Sequence, residues 1–356
     1  MSLKCGIAGL PNVGKSTLFS ALSGAAAECA NYPFCTIEPN SGIAAVPDGR
    51  LDALARVCKS AAIIPAKIEF VDIAGLVKGA HKGEGLGNQF LGFIREVDAL
   101  LHVVRCFDGT DVVHTEGSTD PLRDIETINL ELMLADMESL GRRLPPIEKK
   151  AKGGDKEAAA LAAQMRSAKD LLEAGRRPGI EAARGLGLLS AKPTLYICNV
   201  DEASAGEGNR HTRAVAEFAA REGSGCAVIS AKIEQEISML APAEKSEFLA
   251  ALGVAETGLG RIIRASYELL GLITYFTAGP KEAHAWTIRR GTKAPQAAGE
   301  IHSDFEKGFV RAEVAGFDDF VALGGEAGAR AAGKLRTEGK DYVVADGDVV
   351  HFLVNK

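Results

Sequence analysis

Eight consecutive residues, Gly9-Leu10-Pro11-Asn12-Val13-Gly14-Lys15-Ser16, fit the spacing G-x-x-x-x-G-K-[ST]. That spacing suits a phosphate chain. The glycines let backbone N–H groups turn inward, and a helix starting directly after them points its positive end at the anion. Lys15 can neutralise charge on the β- and γ-phosphates, and Ser16 can offer its hydroxyl to Mg2+. Asn12, Val13, Gly14 and Thr17 complete the cradle. The chemistry implied is binding a nucleoside triphosphate and transferring its terminal phosphoryl group.

A second element, Asp72-Ile73-Ala74-Gly75, ends an apolar run. Asp72 can hold Mg2+ directly or through water, and the Gly75 N–H can sense the γ-phosphate. Between the two elements, in Asn31 to Asn40, Thr36 is the hydroxyl expected to complete the Mg2+ shell in the triphosphate state. A third element should read the base. A guanine reader carries N-K-x-D after a later strand, and here Asn199-Val200-Asp201-Glu202 stands in that place. The aspartate of N-K-x-D accepts from the N1 and N2 donors of guanine, a pair that adenine lacks. With Val200 for lysine and Glu202 for aspartate, guanine selectivity should be weak. Asn199, Val200 and Glu202 are candidate base contacts, and Ser230-Ala231-Lys232 matches the last base-contacting loop of such enzymes.

These residues need a frame. Leu3 to Ala8, Ile68 to Ile73, Leu100 to Cys106, Thr194 to Cys198 and Cys226 to Ile229 are short apolar runs with helical patterns between several of them. Strands alternating with helices imply an α/β fold with a mainly parallel sheet covered on both faces. The 356 residues suit about two domains. Hydrophobic residues at 46% and charged residues at 25% are ordinary for a globular chain and exclude a disordered or collagen-like one. No apolar run of about 18 residues occurs, so no membrane-spanning helix is expected. Met1 to Gly9 lacks a small-residue cleavage pattern, so no signal peptide is expected. Seven scattered cysteines without metal-ligand spacing suggest reduced thiols in a cytoplasm.

Residues 121 to 190 break the α/β rhythm. Ile125, Ile128, Leu132 and Ala135, then Ala158, Leu161, Met165, Ala168 and Leu172, recur at helical steps. The pattern predicts two helices, with Pro145-Pro146 and Gly153-Gly154 between them. Their middle carries Arg142, Arg143, Lys149, Lys150 and Lys152, either a solvated helix tip or a docking site for RNA phosphate. A small α+β domain is expected from about residue 277. There Tyr342 to Val344 and Val349 to Val354 flank Asp346-Gly347-Asp348 as a predicted β-hairpin. The net charge is −6, from 41 basic and 47 acidic residues, so any RNA contact must come from local clusters. Lys334, Arg336 and Lys340 form a second one.

Gly9 to Thr17, Asn31-Tyr32-Pro33-Phe34-Cys35-Thr36, Asp72 to Gly75, the Asn199 to Glu202 departure and Ala298 to Phe309 together resemble the YchF or Obg-like ATPase family, over essentially the whole chain. The resemblance implies a P-loop NTPase G domain over 1–120 plus 191–276. It also implies an inserted α-helical hairpin of coiled-coil kind over 121–190 and a C-terminal β-grasp (TGS) domain over 277–356. It implies ATP preferred to GTP, Mg2+ as cofactor and association with the ribosome. Leu76 stands where many switch GTPases carry a glutamine to orient water, and leucine cannot hydrogen-bond. His114, in the loop from Asp108 to Pro121, is the candidate for that task, because neutral imidazole accepts a hydrogen bond from water near pH 7. The resemblance supports a catalytic histidine in this loop; a solvated loop histidine is the plain alternative. Asn12 matches the asparagine by which related cation-dependent NTPases hold K+, and it suits a purely structural role equally. His81 reads as loop, and Cys35 reads as a small packed side chain rather than a redox-sensitive thiol.

The expectation is a cytoplasmic, Mg2+-dependent hydrolase of ATP, with GTP the weaker substrate. Lys15, the metal and the loop amides would stabilise the developing charge. The hairpin and terminal domain would convey the nucleotide state to the ribosome or its large subunit, with RNA held by the basic clusters. Two other readings stay open. One is a GTP-specific translation-factor GTPase. The other is a nucleotide-gated RNA- or protein-binding module in which hydrolysis is incidental.

Overall fold

The computed structural model describes residues 3–27, 40–73, 86–108, 119–240, 244–245, 247 and 256–355. In chain order, β1 (Lys4–Ala8) leads through the glycine-rich loop into α1 (Lys15–Ala27). β2 (Ser41–Ala45), α2 (Gly49–Cys58), β3 (Ala62–Ile64) and β4 (Lys67–Asp72) follow. Next come α3 (Leu86–Glu96), β5 (Ala99–Arg105), α4 (Pro121–Lys152) and α5 (Lys156–Glu173). The next four are β6 (Thr194–Asn199), α6 (Arg210–Glu222), β7 (Gly225–Ile229) and α7 (Ala231–Ser238). The last stretch holds α8 (Gly258–Leu269), β8 (Leu272–Ala278), β9 (Glu282–Arg289), α9 (Ala294–Ile301) and α10 (Ser303–Lys307). It ends with β10 (Phe309–Gly316), α11 (Phe317–Ala322), α12 (Glu326–Ala331), β11 (Arg336–Glu338) and β12 (Asp348–Val354). Among the described residues, no helix is long and apolar enough to cross a membrane.

The first sheet runs β2-β4-β1-β5-β6-β7, with parallel pairing from β4 through β7. Every residue of β5 and of β6 is buried, as a parallel sheet covered on both faces requires. The chain forms two compact units. One comprises Met1–Ile43 with Glu69–Ile262; the other comprises Ala44–Ile68 with Ile263–Lys356. These divisions differ from the expected domain limits of 120, 191 and 277. The sequence reading places segment 44–68 in the nucleotide domain, yet it stitches into the second unit. Ala61 and Ala62 donate backbone N–H groups to the Pro280 and Lys281 carbonyls, at 3.0 and 3.2 Å, and β3 then pairs in parallel with β9. Arg50 donates to Asp48 at 2.7 Å and to Asp346 at 2.7 Å, and its guanidinium lies 5.1 Å from the centre of the Phe276 ring.

The second unit carries its own sheet, β11-β10-β12-β8-β9-β3. Ile273, Tyr275, Ile288, Phe309, Val314 and Phe352 form its core with the alanine face of α9. The expected hairpin at 341–354 is absent. β12 pairs with β10 on one side and β8 on the other, while Val343 makes only an isolated bridge to Lys293. Polar capping decides this. Asp348 accepts from the Ala345 N–H at 2.8 Å and Asp346 from the Thr274 N–H at 2.9 Å, which turns the chain across the sheet instead of back on itself.

In the first unit, α4 does two jobs. Ile125 sits in the sheet core with Val104, Cys106, Tyr196 and Cys198, so the first turns of the helix cover the sheet. Further along, α4 runs unbroken through Pro145 and Pro146 to Lys152, where the sequence pattern placed a break. Each proline forfeits a helix hydrogen bond. Against that loss, Leu140, Leu144 and Ile147 of the same helix pack with Leu161, Met165, Ala168 and Leu172 of α5. The return chain is held by buried polar groups. The Asp136 carboxylate accepts from the Leu189 and Ser190 N–H groups at 2.9 and 2.8 Å and from the Ser190 hydroxyl at 2.6 Å, and burial still pushes its pKa up. Arg177 donates to the Ser190 carbonyl at 2.8 Å, to Glu222 at 2.9 Å and to the Tyr196 hydroxyl at 3.2 Å. Asp136→Ala leaves three buried donors without an acceptor. It should cost about 3 kcal/mol, read as a lowered urea midpoint by circular dichroism.

Candidate nucleotide-binding site

The chemistry-bearing segments stand at the carboxyl ends of neighbouring parallel strands, where open α/β sheets bind ligands. β1 runs into Gly9, β4 ends at Asp72, β6 ends at Asn199, and Ser230 follows β7. Register brings them side by side, with Ile7 opposite Asp72, Arg105 opposite Asn199, and Asn199 opposite Ile229.

The loop between β1 and α1 has the backbone that inward-facing amides need. Asn12 and Gly14 take φ values of 63° and 92°. The Leu18 N–H then donates to the Gly14 carbonyl at 3.0 Å as α1 begins. Val13 is buried and anchors the loop; Asn12 and Ser16 are exposed; Gly14, Lys15 and Thr17 are half-buried. There is no room for a side chain at residue 14, because a Cβ there would lie 2.1 Å from Asn199 Nδ2. A Cβ on Gly9 would lie 2.7 Å from the Val103 carbonyl oxygen.

Asn199 is buried and joins three segments. Its Nδ2 donates to the Val13 carbonyl at 2.9 Å, and its Oδ1 accepts from the Ala231 N–H at 3.0 Å. Its own carbonyl accepts from the Cys106 N–H at 2.8 Å. The base-side loops are joined again by the Val200 N–H donating to the Ile229 carbonyl at 2.8 Å, and by an ion pair of Lys232 Nζ with Glu202 Oε1 at 2.6 Å. Asp201 caps the turn after it, accepting from the Ser204 N–H at 2.9 Å. Buried Ser230 starts α7 through its carbonyl, which accepts from the Glu234 N–H at 3.0 Å.

Lys15 Nζ pairs with Asp72 Oδ1, so the loop's cation and the carboxylate at the end of β4 meet. The Ser16 hydroxyl and the Asp72 carboxylate are hard oxygen donors of the kind Mg2+ takes alongside phosphate oxygens. The donor set fits that ion.

Several expectations change here. Val200, expected near the base, is 3% exposed and packs with Val104, Tyr196, Cys198 and Val215. Its side chain continues the buried pattern of β6 into the core, so a lysine there would have to bury its charge or break the packing. Thr36, Gly75, Leu76 and His114, with His81 and Cys35, lie outside the described residues. Sequence reasoning missed three pairings: Lys15 with Asp72, Lys232 with Glu202, and the two-ended Asn199 bridge. All three join segments far apart in the chain, and residue type alone hints only at the two ion pairs.

A phosphate loop with inward-turned backbone, an acidic strand end beside its lysine, and two clasped base-side loops on a parallel sheet define a P-loop nucleotide-binding domain. A family model described as 50S ribosome-binding GTPase matches residues 4–139. The model for the YchF GTPase C-terminal region, described as a protein of unknown function, matches residues 272–355. The chain is 55% identical, over the full length of both, to the ribosome-binding ATPase YchF of Haemophilus influenzae. It is 44% identical to the Obg-like ATPase 1 of Rattus norvegicus, over 99% of this chain and 93% of that protein. The solved YchF GTPase of Schizosaccharomyces pombe superposes with a TM-score of 0.88 at 37% identity, covering 99% of this chain and 98% of that one. This chain belongs to the YchF/Obg-like ATPase family.

Asn199→Ala removes the prop from the phosphate loop and from the α7 loop together. Affinity for ATP and for GTP should fall in parallel, by about tenfold or more, as measured by calorimetric titration. A fall confined to one nucleotide would mean that Asn199 reads the base instead of holding the loops.

Proposed function

We propose that this chain is a Mg2+-dependent P-loop ATPase, using GTP less well, whose nucleotide state governs association with the ribosome in the cytoplasm. The observation that carries the reading is the pairing of Lys15 with Asp72 beside a loop that Asn12 and Gly14 turn inward. The names of the relatives, ribosome-binding ATPase and Obg-like ATPase, support both halves of it. An arriving triphosphate offers Lys15 several anionic oxygens in place of one carboxylate. That exchange frees Asp72 for the cation, which Ser16 and Thr36 would help to hold. Bound Mg2+ would supply charge compensation to the β- and γ-phosphates. Gly75 would sense the γ-phosphate, and Asn12 is the candidate ligand for K+. Leu76 cannot orient water, and His114 is the residue proposed to do so. Weak guanine reading is supported by Val200 and Glu202 standing in for lysine and aspartate.

For the ribosome, the favoured contact is the exposed run Lys149, Lys150 and Lys152 near the end of α4. Its neighbours are engaged: Arg142 pairs with Glu138 at 3.2 Å and Arg143 donates to the Leu186 carbonyl at 2.7 Å. In the second cluster, Lys334 pairs with Asp319 at 3.4 Å and Arg336 with Glu338 at 3.5 Å and Asp348 at 3.6 Å, leaving less charge on offer.

Two measurements test these halves separately. In competition binding and steady-state hydrolysis, ATP should outcompete GTP and Lys15→Ala should lose most turnover. His114→Ala should lower kcat by about 10²-fold with little change in affinity. Tenfold tighter binding of GTP, or full turnover in Lys15→Ala, would refute the ATPase assignment. In co-sedimentation, ribosome association should weaken as salt rises and fall on charge reversal of Lys149, Lys150 and Lys152, with isolated ATP hydrolysis unchanged.

A further inference from the structure

We infer that Lys232 is a specificity-determining residue: by holding the Glu202 carboxylate across the two base-side loops, it withholds from guanine the group that would read it. The inference rests on the nucleotide site proposed above. On its base-pairing edge, guanine presents two N–H donors, at N1 and N2, and an acceptor at O6. Adenine presents an acceptor at N1 and a donor at N6. Reading guanine therefore calls for a carboxylate with both oxygens open and a free N–H beside it.

Both groups are already engaged within the protein. Glu202 Oε1 lies 2.6 Å from Lys232 Nζ. The Ala231 N–H, on the same loop as Lys232, donates to Asn199 Oδ1 at 3.0 Å. Guanine would have to break the first contact to gain its carboxylate and the second to gain its donor. Adenine has no adjacent pair of N–H donors for a carboxylate to bridge, so the Lys232–Glu202 contact costs it nothing. The loops cannot simply part to make room, because the Val200 N–H to Ile229 carbonyl bond and the Ala231 N–H to Asn199 Oδ1 bond clasp them at their roots. Nor can Val200 compensate by covering the base, since its side chain lies in the core.

Lys232 and Glu202 are 69% and 56% exposed, so their pairing holds no part of the core and can be removed without unfolding the domain. Glu202 raises the Lys232 pKa, so the lysine stays cationic throughout the neutral range and the restraint does not titrate away there. An exposed pair is weak, which limits the expected change in purine preference to about two- to fivefold.

The test is competition of a fluorescent nucleotide by ATP and by GTP on the full chain, in wild type, Lys232→Met, Glu202→Gln and the double variant. Lys232→Met keeps the aliphatic stem and removes the charge. It should tighten GTP relative to ATP by about two- to fivefold, and this gain should vanish in the Glu202→Gln background. An unchanged ratio, a shift further toward ATP, or a gain that persists without the Glu202 carboxylate would each overturn the role of Lys232. Wild type that prefers GTP by tenfold or more would overturn the ATPase reading and this inference together. Wild type that prefers ATP, with a ratio unmoved by Lys232→Met, would overturn this inference alone.

Discussion

Everything at the nucleotide edge depends on one carboxamide. Asn199 is buried, and its two ends hold the Val13 carbonyl and the Ala231 N–H. A loop with positive φ at Asn12 and Gly14 is costly for the asparagine and entropically expensive for the glycine. The amide that holds the Val13 carbonyl between them also fills the space where a side chain at residue 14 would go, so only glycine fits there. The same amide fixes the start of α7, so the phosphate and base sides of the site are set by one group rather than by two independent loops. The position of Asn199 is in turn fixed by β6, buried along its whole length between β5 and β7.

Around this point the charges are arranged in pairs that a ligand can rearrange. Lys15 with Asp72 and Lys232 with Glu202 each form an ion pair. The first pair is mostly shielded, at 12% and 21% exposure, and the second stands in solvent. Burial makes the first the stronger interaction.

The legible parts of this molecule were those written in short spacing. The phosphate loop, five parallel strands and the acidic end of β4 follow from a few neighbouring residues each. What the sequence hid came from contacts across long stretches of chain. Pro145 and Pro146 read as a break, yet the packing of Leu140, Leu144 and Ile147 against α5 carries the helix through them. Val349 to Val354 read as half of a hairpin, yet β10 and β8 claim both its edges. Val200 read as a base contact because it stands where N-K-x-D has its lysine, yet its side chain packs in the core with Val104, Tyr196, Cys198 and Val215. In each case a local preference of a few kcal/mol at most met a tertiary demand that exceeded it.

The second unit is assembled from two pieces of chain, Ala44–Ile68 and Ile263–Lys356. About 190 residues separate them. At synthesis rates of about 5–20 residues per second, the first piece leaves the ribosome roughly 10–40 s before its partners exist. During that interval Leu51, Leu54 and Ala55, the buried face of α2, have no sheet to cover, and β3 has no β9 to pair with. The nascent chain thus carries near its beginning a helix whose apolar face waits for its cover. Its second domain cannot be completed until the last strand has been made.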